Sequence, residues 1–99
     1  MQAVFYKEVV MAIEYTVQIW KEGEHYIAHA MPLDVMSSGK TPEEAKNAVR
    51  EAVNLFIATA RDIGTLNEIL EECGYYVRDK ETVSPSWISV EKQQVELSV

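Results

Sequence analysis

Residues 41–64 constrain this chain more tightly than any other stretch. Thr41 has the side chain of a helix N-cap, Pro42 suits the first helical position, where its missing N–H costs nothing, and Glu44 completes a T-x-x-E capping box. Glu43 and Glu44 also favour the positive end of the helix dipole. Ala45, Ala48, Val49, Ala52, Leu55, Phe56 and Thr59 then recur at intervals of three and four, with Val53 widening the stripe. Lys46, Asn47, Arg50, Glu51 and Asn54 take the other side. Such a stripe belongs to a helix lying on a sheet, and Gly64 is its natural C-terminal cap. Burying a side chain the size of Leu55 or Phe56 contributes roughly 1.5–3 kcal/mol, so Phe56→Ala is expected to be severely destabilising.

The sheet for this helix precedes it. Ile13, Tyr15, Val17 and Ile19 alternate with Glu14, Thr16 and Gln18, which predicts a strand with one buried and one wet face; Trp20 falls on the wet side. Glu22-Gly23-Glu24 is a hairpin turn. A second strand runs from His25 to Met31, with Tyr26, Ala28 and Ala30 on one face, and Pro32 ends it by removing a ladder donor. Asp34 to Ser38 is a short third strand closed by Gly39, which completes an antiparallel meander. Beyond the main helix, Thr65 and Glu68 form another capping box for a second helix over residues 65–73, striped by Leu66, Ile69, Leu70 and Cys73 and ended by Gly74. Tyr75-Tyr76-Val77 reads as a short strand and residues 78–86 as a polar loop. Trp87 to Val99 is β-prone, with Val95, Leu97 and Val99 alternating against Glu96 and Ser98; it reads as one long strand or as a hairpin around Glu91-Lys92-Gln93. The order β-β-β-α-(α)-β predicts a two-layer α+β fold, an antiparallel sheet packed on one main helix.

With 99 residues the chain is expected to form a single domain, 1–99. Residues 1–12 lack the apolar run of a signal peptide and read as an extra edge strand dispensable to the fold, Met11 serving equally well as a start. No apolar run approaches the ~20 residues that cross a bilayer. One cysteine forbids an intramolecular disulfide, in keeping with a reducing, cytoplasmic setting. Sixteen acids against nine bases give a net charge of −7, which repels phosphate backbones and argues against direct nucleic-acid binding.

Residues that carry chemistry elsewhere are present but poorly placed. His25 and His29 share a strand face about 13 Å apart, too far for one metal. Cys73 ends a helix beside Glu71 and Glu72, where a thiolate is disfavoured. Glu14, Asp34 and Glu51 sit on separate elements, so a metal-dependent nuclease site has no obvious carboxylate cluster. Ser37-Ser38-Gly39-Lys40-Thr41 superficially resembles a phosphate loop, but Asp34 stands where the upstream glycine belongs. No catalytic residue, cofactor or metal is therefore expected. The aromatic residues outside the helix stripe, Trp20, Tyr75, Tyr76 and Trp87, read either as peripheral core or as part of an oligomer or partner interface.

Residues 13–60 resemble the HicB-like antitoxin family. The resemblance runs through Tyr15-Thr16-Val17, Glu22-Gly23-Glu24, His25-Tyr26-Ile27-Ala28 and, with most weight, the segment from Leu33 to Ala45, where a short strand and Gly39 lead into Thr41-Pro42-Glu43-Glu44-Ala45. It implies a β-β-β-α-β fold, often described as partly ribonuclease-H-like, with Val95–Val99 as the last strand. It also implies an antitoxin that neutralises a HicA-like toxin, a small basic ribonuclease, and the net charge suits such a partner. The family's longer members add a DNA-binding segment, for which there is no room after Gly74, and the resemblance leaves Thr65 to Asp79 unexplained. The expectation is a stand-alone HicB-like protein that also forms a homo-oligomer through strand edges. The alternatives are a ribonuclease-H-like metal-dependent nuclease remnant and a self-assembling protein of unknown role.

Overall fold

In the computed structural model, which describes residues 11–79 and 81–99, the chain forms an α+β fold. The elements are β1 (Thr16–Glu22), β2 (His25–Met31), β3 (Val35–Gly39), α1 (Pro42–Asp62), α2 (Leu66–Glu72), β4 (Tyr76–Arg78) and β5 (Glu81–Val83). The first three strands make an antiparallel sheet of order β1-β2-β3, and β4 pairs with β5 in a separate hairpin. The edge strand expected over residues 1–12 falls mostly on residues outside those described.

The β1–β2 hairpin closes at Glu22 opposite His25, leaving a two-residue loop whose first member, Gly23, has φ +62°. That position favours glycine in a type II′ turn, whose twist matches the strands it joins. β1 starts three residues later than the alternation predicts, because its partner runs out: Thr16 lies opposite Met31, and Pro32 follows. The alternation nevertheless continues upstream, with Met11, Ile13 and Tyr15 packed against the core. Carbonyls there find side-chain donors in place of a ladder. The Tyr75 hydroxyl donates to the Glu14 carbonyl, and Thr82 Oγ1 to that of Ala12 at 2.6 Å.

α1 begins and ends as its sequence dictates. The Glu44 N–H donates to Thr41 Oγ1 at 3.0 Å, while the Glu44 carboxylate accepts from the Lys40 N–H at 2.8 Å, one residue upstream of the usual box. At the other end Gly64 takes φ +80°, its N–H donates to the Arg61 carbonyl and that of Thr65 to the Ala60 carbonyl, which is a Schellman motif. α2 ends the same way, with Gly74 donating to Glu71 and Tyr75 to Leu70. Its start differs from expectation: Thr65 caps no N–H of α2, and its hydroxyl instead turns back to the Ala60 carbonyl.

Ala28, Ala30, Ala45, Val49, Val53 and Leu70 lie at the centre of the core, joined by Leu33 and Tyr75. Small residues on β2 let α1 approach closely. Gly39 does so at the helix start, where an added Cβ would meet the Ala45 nitrogen at 2.6 Å. The helix sits over β3 and β2 and touches β1 least. Two expected core residues are therefore uncovered. Ile19 is half out, and Leu55 is 70 % exposed. At 100° per residue, Leu55 points more than about 100° round the helix from the line of Ala45, Val49, Val53 and Ala60. Residues 84–99 form no helix or strand, so neither the long strand nor the hairpin expected there exists, and β5 occupies part of the predicted loop.

Candidate protein-binding surfaces

One face of the sheet lies under α1. The other carries Trp20 from β1, His25, Ile27 and His29 from β2, and Met36 from β3. His29 Nε2 lies 2.6 Å from Asp34 Oδ1, brought together because Ala30 pairs with Val35 across the turn. Asp34 holds φ +60°, a left-handed conformation that Asp tolerates better than most residues. Trp20 meets the His29 ring edge to face, with centroids 6.2 Å apart, and its Nε1–H donates to Glu22 at 3.4 Å. Among the described residues no hydroxyl or thiol hydrogen-bonds to the imidazole–carboxylate pair. It sits within an aromatic patch formed with Trp20. The two histidines lie on one face, as their spacing predicts, separated by Ile27.

The remaining candidates are dispersed. Glu14 accepts from Ser84 at 3.4 Å, Asp34 is engaged with His29, and Glu51 stands on the exposed side of α1. Among the described residues no group of three or more His, Cys, Asp or Glu is placed to hold a metal ion. Cys73 is half-buried, and its thiol pKa is raised first by burial, then by the carboxylates of Glu72 and Asp34. Of the four aromatic residues, Tyr75 is only 4 % exposed and packs in the core. Burial, with smaller help from Cys73, Glu14 and Tyr15, pushes its phenol from the ordinary 10.0 up to about 12. Trp20 on β1, Tyr76 on β4 and Trp87 in the segment after β5 reach the surface.

Three grooves stand out on the surface of the described residues. The first, of about 490 Å³, lies where Ser84 and Trp87 pass Ile13–Thr16 and Pro32. The second, of about 320 Å³, opens between the β1 edge and α1, floored by Tyr15, Val17, Ile19 and Val49, with Lys46 and Arg50 on its rim. The third, of about 460 Å³, is apolar and is lined chiefly by Val35, Leu55, Phe56, Ile63 and Ile69. Glu51 and Asp62 fall four and seven residues from Leu55, on the same side of α1. Sequence reasoning missed this groove because it assigned Leu55 to the core. The exposed pair Leu55 and Ile63, two turns apart, is the signal that marks it.

The fold and surfaces define a small α+β domain with uncovered apolar ground. Among the described residues no helix is long and apolar enough to cross a membrane. No family model matches the chain, and neither does any curated protein or solved structure.

Proposed function

We propose that this chain is a non-enzymatic protein-binding domain of the HicB-like antitoxin type, acting in the cytoplasm by covering a small basic ribonuclease. The observation that carries the reading is the apolar groove along α1 and α2, with Glu51 and Asp62 on the same side of the helix as Leu55, in a chain of net charge −7. Negative charge steers a basic partner to the site, and the groove receives an apolar anchor from it. The segment Leu33–Ala45, on which the family resemblance rests, contributes Val35 to this groove, which supports the same reading.

The test is co-purification of the tagged chain from its own cells, with mass spectrometry and light scattering on the eluate. The expected result is a stoichiometric small basic protein that cleaves RNA alone and stops when the purified chain is added back. Leu55→Glu should weaken that inhibition at least about tenfold, as about 1.4 kcal/mol of lost binding requires. An eluate without such a protein, or a partner that cleaves no RNA, contradicts the reading.

A further inference from the structure

The C-terminal segment is unlike the rest of the molecule. Ile88, Val95 and Leu97 are 94 %, 91 % and 80 % exposed, and Val99 is fully so. At ~3.3 Å per residue, residues 84–99 span about 50 Å, and the molecule measures 78 × 29 × 23 Å. The segment leaves the body as an arm. Nothing in it turns the chain back, since residues 88–99 contain no Gly, Pro, Asn or Asp. Val95, Leu97 and Val99, exposed and spaced two apart, put their apolar side chains on one side of an extended chain, the pattern of an interaction strand.

Among the described residues, the body offers a matching edge. β1 is an edge strand, with hydrogen-bonding groups along its outer side. On the helix side that edge borders the groove floored by Tyr15, Val17, Ile19 and Val49. A strand laid against β1 would send every second side chain into this groove, and Val95, Leu97 and Val99 have that spacing. By the same alternation Glu91 falls on the face of Val95, toward the rim that Lys46 and Arg50 make basic.

The arm starts beside its own β1 without using it. Thr82 bonds to Ala12 and Ser84 to Glu14, and Trp87 shares a groove with Thr16. Beyond Trp87 it departs, and among the described residues nothing pairs with the outer side of β1.

We propose that residues Val95–Val99 of one copy add as a strand to the β1 edge of a second copy, reciprocally, so that two chains exchange arms in a closed dimer. The two contacts are identical, as twofold symmetry requires. The exchange needs no toxin, so a chain that binds none still dimerises.

The experiment is light scattering on the full chain and two variants, Leu97→Asp in the arm and Ile19→Asp at the edge. The wild type should run at twice the 11.3 kDa chain mass. Each variant alone should run as a monomer, with dimerisation weakened at least about tenfold. Mixed in equal amounts they should form a mixed dimer, because one supplies an intact edge and the other an intact arm. A wild-type monomer overturns the exchange, whether its arm is free or folded on its own edge. So does a dimer that survives Leu97→Asp, which places the interface elsewhere. Circular dichroism checks that Ile19→Asp folds; if it does not, Leu97→Asp decides alone, since its exposed position cannot unfold the body.

Discussion

β1 and the arm both alternate apolar and polar residues, yet one is paired along its length and the other touches almost nothing. Val17 and Ile19 lie in a strand joined to its partner by a two-residue turn at Gly23. Val95 and Leu97 stand in the open. Alternation specifies a face and leaves the partner unspecified. β1 gains its partner from the chain beside it, at small loop-closure cost. From Ile88 onward the arm has no Gly, Pro, Asn or Asp to turn it back, and the proposed exchange takes its partner from a second copy. On the proposed exchange, the body stabilises itself and the arm serves association.

The contrast breaks if the body tolerates core damage or the arm does not tolerate change. Leu70→Ala should cost about 2–5 kcal/mol in denaturant unfolding, because Leu70 is fully enclosed. Gly39→Ala should cost about 1–3 kcal/mol, since the new methyl meets backbone of α1 that cannot yield without moving the helix. Tyr75→Phe should cost about 0.5–1.5 kcal/mol through the lost bond to the Glu14 carbonyl. It also changes the alkaline limb. Because the folded phenol sits near 12 against 10.0 unfolded, the unfolded chain releases this proton first. Its contribution is complete below pH 10.0 and is lost as pH rises toward about 12, a decline that Tyr75→Phe should flatten. Cys73, also raised, adds a loss of the same sign from 9.0 upward. The smallest effect belongs to the arm: in dilute solution Leu97→Ser should shift stability by less than about 0.5 kcal/mol.

Phe56 and Leu55 sharpen the account within α1. Both belong to the stripe read from sequence, but Phe56 packs against the core and Leu55 does not. Replacing Phe56 with Ala should destabilise the fold, whereas the same change at Leu55 should leave thermal unfolding nearly unchanged.

What the sequence made legible was local. Thr41, Pro42 and Gly64 set the limits of α1 within a turn of chain, and Gly23 and Pro32 bounded the hairpin strands, because each acts on backbone geometry nearby. What it concealed was relational. The lean of α1 toward β3 follows from the close approach at Gly39 and uncovers Ile19. β5 is three residues held partly by Thr82 reaching Ala12, a long-range contact without a periodic signature. The His29–Asp34 pair needs the β2–β3 register before the two meet. The arm's residues alternate as a strand does, yet no strand forms there, because alternation alone supplies no partner.

The most direct measurement is amide hydrogen exchange on the full chain at high and low concentration. Protection at Val95–Val99 and along β1 should be present when the chain is concentrated and fall together on dilution, while α1 and β2 stay protected throughout. An arm that exchanges freely at every concentration, or stays protected at every concentration, would contradict the division between a self-sufficient body and an arm made for a second copy.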